Sequence, residues 1–274
     1  MNFANTLSFL LSATILSSGA IAFQTPAFSG RNQIATSLRV SSAQASGTGF
    51  GKIQKEQDAE KERTLDDMRP DEIKKLLLDL LPRMTGTREE YTLVENYVNA
   101  IESKYVQPQT IGFLNMAISG EWQFLFTTNQ LGNPSPSLRL SELVQTVSAN
   151  DHGGKVINSA TWDMLDQGST FDVGGTFTAT LDYSINQGAR MTLDEDLKLQ
   201  VNLRKGSKIP SDKKKMAALI QRAIPDEMFD SSNLALDTTY VDTDLRIIRY
   251  TGERHEAVRN IFIRKGKINI DPGF

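Results

Sequence analysis

The spacing of apolar side chains changes near residue 120 from the period of a helix to the period of a strand. After Pro70, apolar residues recur at intervals of three and four, as on one face of a helix that Pro82 ends. They are Ile73, Leu76, Leu77, Leu80 and Leu81. Thr87 and Glu90 have the spacing of a capping box, so a second helix is predicted from Thr87 towards Pro108. Two helices therefore precede the first predicted strand.

From Gly120 onwards apolar and polar residues alternate, which indicates β-strands. In the first predicted strand, Trp122, Phe124 and Phe126 share one face. The alternation is clearest in residues 176–183, and it recurs in residues 197–203. Further candidate strands are residues 143–148, 155–164, 191–193, 239–250 and 260–265, so about seven to nine strands are predicted.

The order of these elements favours a mainly β fold, an antiparallel up-and-down β-barrel. Parallel strands need crossover segments of a dozen or more residues, and no regular helices alternate with the predicted strands. One helix is expected at residues 211–224, where an apolar stripe interrupts the series before the last strands. Because no repeat or second linker follows the first helix, residues 67–274 are expected to form one domain.

Residues 1–66 have the composition of targeting segments and a linker. Residues 7–22 are apolar and end in Ala20-Ile21-Ala22, a small-x-small cleavage sequence that predicts a signal peptide over residues 1–22. Residues 23–55 are serine-rich and free of acids, as in an organelle transit peptide, and residues 56–66 form a mixed-charge linker. This order resembles the bipartite presequences of algae with complex plastids, in which an aromatic residue such as Phe23 follows the signal cleavage site. The alternative is a secretory signal followed by a disordered linker.

Charge and composition exclude several classes of function. Beyond residue 55 lie 26 of the 30 bases and all 33 acids, which argues against a nucleic-acid partner and against simple adhesion to an anionic membrane. The chain has no cysteine, and His152 and His255 lie in polar, turn-like sequence where surface positions are expected. No spaced catalytic or metal-binding set accompanies them. We therefore expect no cofactor and no metal, and any enzymatic chemistry would have to rest on isolated carboxylates.

The strand Gly120-Glu121-Trp122-Gln123-Phe124-Leu125-Phe126-Thr127-Thr128 and the late segment 236–250, which contains Asp244-Leu245-Arg246-Ile247, resemble the plastid lipid-associated protein (PAP/fibrillin) family. The resemblance covers most of residues 73–264, with Phe126 where the family usually has tyrosine. It implies a lipocalin-like barrel that binds apolar ligands and is not a catalyst.

The resemblance also implies a place in the cell and a class of ligand. The expected protein sequesters or delivers carotenoids, prenylquinones or fatty acids at thylakoid or plastoglobule surfaces of the plastid. Two other classes stay open. One is a barrel enzyme that acts on an isoprenoid or pigment, and the other is a scaffold that docks on photosynthetic or lipid-droplet proteins.

Candidate ligand contacts come from the apolar strand faces and from two late arginines. The apolar set comprises Trp122, Phe124, Phe126, Phe177, Leu181 and Tyr183, which would equally suit a filled core. Lipocalin-like barrels commonly pack a first-strand tryptophan under a late-strand arginine, and Arg246 and Arg249 are the candidates for that arginine. The alternative is that one of them pairs with the carboxylate or phosphate head group of a ligand.

A basic loop that leads into the predicted helix 211–224 is a candidate membrane contact. Residues 204–215 carry six bases and one acid. Lysines near a helix N-terminus oppose the helix dipole, and an anionic lipid surface would relieve that cost. The candidate contacts, which would also gate the barrel mouth, are Lys213, Lys214, Lys215, Met216, Leu219 and Ile220. The alternative is a soluble polar connection.

Overall fold

A computed structural model of the chain describes residues 64–129, 135–150, 153–166, 170–186, 189–194, 196–230 and 235–265. These residues belong to two compact units, which divide between Lys104 and Tyr105. The predicted signal peptide, transit peptide and most of the linker lie outside the described residues, as does His152. These assignments therefore stay predictions.

The first unit contains the two predicted helices, α1 (Pro70–Leu80) and α2 (Arg88–Ser103), with short 3-10 turns at Leu65–Asp67 and Leu81–Arg83. Helix α1 buries Ile73 and Leu77, and α2 packs against it. The capping box is present, because the Thr87 hydroxyl accepts from the Glu90 N–H at 3.3 Å and the Glu90 carboxylate accepts from the Thr87 N–H at 3.0 Å. The hydrogen bond from the Thr87 N–H to the Glu90 carboxylate is the largest of the effects that lower the pKa of Glu90.

The second unit is built on nine strands in its described residues, and eight of them close into an antiparallel barrel. The strands are β1 (Gly120–Thr127), β2 (Leu138–Ala149), β3 (Gly153–Met164), β4 (Val173–Ile185), β5 (Arg190–Leu193), β6 (Lys198–Leu203), β7 (Ala235–Val241), β8 (Leu245–Tyr250) and β9 (Arg259–Arg264). The ring runs β1-β2-β3-β4-β5-β7-β8-β9 and returns to β1. Strand β6 pairs with β4 on the same edge as β5. The predicted mainly β, antiparallel barrel is confirmed.

Three helices accompany the barrel. Helix α3 (Ile111–Ile118) precedes β1, and α4 (Lys213–Ala223) and the four-residue α5 (Asp226–Phe229) lie between β6 and β7. Helix α4 confirms the predicted helix at residues 211–224. Helix α3 was not predicted, because its residues are apolar nearly all round and show no amphipathic period. Helix α5 is too short to leave a periodic signal.

A β-bulge in β1 changes which side chains point into the barrel. Phe124 pairs with Phe262 of β9, but Phe126 pairs with Ile261, so Leu125 is the extra residue between them. Beyond the bulge Thr127 is buried in the interior, and Phe126 lies on the outer side. The prediction that Phe126 shares a face with Trp122 and Phe124 is therefore wrong.

Candidate functional site

One end of the barrel is closed by α3, Trp122 and Arg264, which we call the closed end. The fully buried Trp122 donates from its indole N–H to the carbonyl of Ile118 at 2.7 Å. The Arg264 guanidinium lies over the Trp122 ring, with its Cζ 4.1 Å from the ring centroid. It also donates to three backbone carbonyls, those of Ala117 (2.9 Å), Ser119 (2.8 Å) and Thr243 (2.8 Å). The closed end therefore has its polar groups satisfied.

Arg264 takes the structural role that was predicted for Arg246 or Arg249. It does so because Trp122 and Arg264 are directly paired across β1 and β9. Arg249 lies on the outside of the barrel, where its guanidinium is 3.5 Å from Asp237. The prediction that Arg246 or Arg249 covers Trp122 is wrong, and Arg249 is not among the side chains that line the interior.

Arg246 lies in the barrel interior and is completely buried. Its Nη1 donates to the side-chain carbonyl of Gln145 at 2.7 Å. Its Nε and Nη2 have no hydrogen-bond partner, and within the described part of the chain no carboxylate pairs with it. Burial lowers the pKa of Arg246 to about 10, so the guanidinium still carries its charge at neutral pH. Its position next to Gln145 places a cation in the middle of the core.

A chain of side-chain amides runs from Arg246 to α5. Gln145 donates to the Asn158 side-chain carbonyl at 2.9 Å, and Asn158 donates to the backbone carbonyl of Met228 at 2.5 Å. Sequence reasoning missed Gln145 and Asn158, although both occupy inward positions of apolar strands. A polar residue at an inward position of such a strand is the signal that would have found them.

Two buried tyrosines complete the polar part of the interior. Tyr183 donates to the side-chain carbonyl of Asn115 on α3 at 2.5 Å. Burial raises the pKa of Tyr183 and of Tyr250, and the neighbouring Arg246 cation opposes both shifts. For Tyr250 the buried Glu227 carboxylate adds to the rise. Both phenols are therefore neutral hydrogen-bonding groups near the guanidinium.

The remaining predicted contacts form the aromatic and aliphatic walls. Phe124 packs edge-on against Phe262 with 5.8 Å between ring centroids, and Phe177 packs against Phe229 of α5 at 5.3 Å. Leu181 and Tyr183 are buried on the same inward face of β4 as Phe177. The structure thus brings together Trp122, Phe124, Phe177, Leu181, Tyr183 and Arg246 on the inside of the barrel.

Residues 225–230, which we call the α5 segment, are held against the barrel by side chains that sequence reasoning missed. The buried Glu227 carboxylate accepts from the Thr127 hydroxyl at 2.7 Å and from the Asn129 amide at 2.8 Å. Arg254 donates to Asp230 at 2.7 Å. These contacts and the Phe229 ring attach the segment to several strands at once.

His255 is buried, so the prediction that it is a surface histidine is wrong. It belongs to the 3-10 turn Glu253–His255, which places its Nε2 3.5 Å from the Asp230 carboxylate. Within the described ranges no group of three or more His, Asp and Glu side chains could hold a metal ion.

A cavity of about 210 Å³ lies between the barrel wall and the helices α4 and α5. Phe177, Leu199, Ile224 and Phe229 form its apolar lining, and Gln221, Asp226, Asp230 and Arg254 its polar lining. Phe177 and Phe229 line the cavity and also belong to the buried core. A second pocket, of about 320 Å³, lies beside Asp166 and Ser211.

Helix α4 uses its apolar side to cover the barrel. Met216 and Ile220 are buried in the core, and Leu219 is half-buried against it. The prediction that these three residues contact a membrane is therefore wrong for Met216 and Ile220, because the barrel already occupies that face. Lys213, Lys214 and Lys215 are exposed. None of the helices in the described residues is both long and apolar enough to span a bilayer.

The sequence model of the PAP_fibrillin family matches residues 73–255, which is most of the chain from α1 to the end of β8 and the turn that follows it. A comparison with curated proteins found no match. The family match agrees with the lipocalin-like barrel described above. The chain therefore belongs to the PAP/fibrillin family of plastid lipid-associated proteins.

Proposed function

We propose that this protein is a non-enzymatic carrier that holds an apolar ligand inside its barrel and sequesters or delivers it within the plastid. The observation that carries the proposal is the cavity of about 210 Å³, whose lining includes Phe177, a residue that also belongs to the core of the barrel. Membership of a plastid lipid-associated family supports the same function.

The physical basis is the burial of a long hydrocarbon. Each methylene removed from water contributes about 0.8 kcal/mol, so a chain laid along the inner faces of β1 and β4 would bind well. Carotenoids, prenylquinones and fatty acids all supply such a chain. The proposed contacts are Trp122, Phe124, Phe177, Leu181, Tyr183 and Arg246.

The ligand would enter beside β6. This strand pairs with β4, but within the described residues it does not pair with β7. The side of the barrel next to β6 is covered by α4 and α5 instead of by a strand, and the cavity lies at this place. Side chains can move apart more easily than a hydrogen-bonded ladder, so this is the weakest part of the wall.

The proposal is tested by identifying lipid that copurifies with the full chain from a plastid-bearing host, by mass spectrometry. Leu199→Trp fills the cavity and should abolish or strongly reduce the bound lipid. Leu203→Trp adds the same bulk on the same face of β6, beyond the residues that line the cavity, and should leave it unchanged. An empty wild-type barrel that copurifies with photosynthetic proteins would contradict the proposal and favour a scaffold. Turnover of the bound lipid would favour an enzyme.

We also propose that the exposed lysines at the start of α4 bring the protein to thylakoid or plastoglobule surfaces. Ile209 is 68% exposed close to them in sequence, so an apolar side chain accompanies the charges. Charge reversal at Lys213, Lys214 and Lys215 should reduce flotation with liposomes that contain phosphatidylglycerol. Reversal of the exposed Lys75, Lys155 and Lys198 changes the net charge equally and is the control. Equal flotation of both triple variants would contradict this surface.

A further inference from the structure

The Arg246 guanidinium has an unused binding edge inside the core. Arginine offers five N–H donors, and within the described part of the chain only Nη1 has a partner, the side chain of Gln145. The Nε and Nη2 atoms are buried without partners. Leaving charged donors buried and unpaired is costly, so a satisfied core would not contain them unless another group occupies the edge.

The two unpartnered atoms share one edge of the planar guanidinium, where their N–H bonds point in parallel. This edge matches the two oxygens of a carboxylate. The protein uses the same edge elsewhere, since Arg190 binds Asp237 through Nε at 2.9 Å and through Nη2 at 3.2 Å. Arg246 therefore presents in the interior the fork that Arg190 fills on the outside.

No carboxylate of the described residues fills the fork. Glu227 is the buried carboxylate of the interior, but its oxygens accept from Thr127 and Asn129. Burial lowers the pKa of Arg246, the buried phenols of Tyr250 and Tyr183 oppose that shift, and the Arg264 cation adds to it. Among the described residues no carboxylate is hydrogen-bonded to Arg246, so an anion would be attracted to its charge.

We propose that Nε and Nη2 of Arg246 bind the carboxylate of a single-chain lipid acid whose hydrocarbon tail lies along the aromatic walls. The ligand class is then a carboxylic amphiphile, not a neutral carotenoid or quinone. The tail runs towards Phe177 and Phe229, and the α5 segment, joined to Arg246 through Gln145 and Asn158, closes over it. This inference rests on the proposed function, because it assumes that the barrel accepts a ligand.

The test compares an acid with its neutral ester. Fluorescence titration of the full chain with cis-parinaric acid and with its methyl ester should show that the acid binds about 10- to 100-fold more tightly, as expected for a paired ionic hydrogen bond. Arg246→Met should reduce the affinity for the acid to that for the ester and leave the ester unchanged. Arg249→Met, on the outer surface, is the matched control and should change neither.

The outcomes separate this inference from the proposed function. Equal binding of acid and ester by the wild type, or a preference that survives Arg246→Met, overturns the head-group site and leaves the apolar carrier standing. Failure of both probes to bind overturns the carrier and the site with it. If Arg246→Met does not fold, as judged by circular dichroism, the wild-type comparison of acid and ester decides the question. Acetate that displaces the acid without its own tail would show a site for small anions only and would also overturn the proposal.

Discussion

The closed end and the middle of the barrel each contain a buried or partly buried arginine, and the two differ in how many of their N–H donors have hydrogen-bond partners. Arg264 stacks on Trp122 and donates to three carbonyls. Arg246, on the neighbouring strand, is more deeply buried and has one partner. Satisfied donors stabilise a fold, whereas unsatisfied ones cost free energy. The difference agrees with a structural role for Arg264 and with the proposed ligand-binding role for Arg246.

The two arginines also differ in the kind of group that surrounds them, which is backbone for Arg264 and side chains for Arg246. At the closed end the partners are backbone carbonyls of α3 and of the β7–β8 turn. In that turn the Asp242 carboxylate accepts from the backbone N–H groups of Asp244 and Leu245, both at 2.7 Å. The interior near Arg246 depends on the side chains of Gln145 and Asn158, which reorient more readily than backbone. The closed end is thus held by backbone partners, and the interior near Arg246 is held by side chains.

The largest expected effect is at the closed end. Arg264→Met removes three hydrogen bonds from a charged donor and the contact with Trp122, so the free energy of unfolding should fall by about 2–4 kcal/mol. Urea unfolding of the full chain measures it. Arg264→Lys keeps the charge but not the planar guanidinium, so its free energy of unfolding should fall by less than that of Arg264→Met. An unchanged unfolding free energy for Arg264→Met would remove the contrast between the two arginines.

The next effect concerns pH and the interior. Because burial raises the pKa of Tyr250, this phenol stays protonated in the folded state while it ionises in the unfolded state above its ordinary pKa. The wild type should therefore lose stability relative to Tyr250→Phe as the pH rises above about 10, by about 1.4 kcal/mol per pH unit. Urea unfolding at pH 9 and pH 11 tests this. Because Tyr250 also acts on the pKa of Arg246, the same comparison in an Arg246→Met background isolates the phenol. A difference in unfolding free energy between the two proteins that does not change with pH would contradict the raised pKa of Tyr250 in the folded state.

A smaller effect is expected at Arg246, and it is the sharpest test of the comparison. Arg246→Met replaces an unpaired buried cation by an apolar side chain, which should leave the free energy of unfolding within about 1 kcal/mol of the wild type or raise it. The same unfolding experiment applies. A loss as large as that of Arg264→Met would show that Arg246 is structural after all.

The smallest effect is expected outside the barrel. Arg249→Ala removes an exposed ion pair with Asp237, which Arg190 also binds, so the free energy of unfolding should change by less than about 0.5 kcal/mol. Thermal unfolding with and without added salt checks this, because an exposed pair is screened. A large loss would mean that the outer arginines matter as much as the inner ones.

Much of the fold could be predicted because it depends on local patterns. The stripe from Ile73 to Leu77, the Thr87 capping box and the alternation in β4 each lie within a few residues of sequence. The sequence does not predict helix α3, because its apolar residues show no helical period. It does not predict the bulge at Leu125 either, because one extra residue in a strand does not change the composition of the segment. The alternation therefore predicts the wrong side of the strand for Phe126.

The candidate site could be predicted only in part. The inward residues of β4 followed from alternation, but the roles of Arg246 and Arg264 depend on which strands are neighbours and in what register. Arg264 meets Trp122 across a separation of more than a hundred residues, and Glu227 meets Thr127 across a separation of 100 residues. Such contacts carry no local signal.

The amino-acid sequence by itself determined the class of fold, the order of the elements and the family resemblance, because period, caps and motifs are properties of short segments. The tertiary structure alone decided which arginine closes the barrel and which has unpaired donors in its core. The physical reason is that hydrogen-bond satisfaction depends on partners far away in the chain. Only the closed ring of strands brings Arg264 to its carbonyls and leaves the Nε and Nη2 of Arg246 without any.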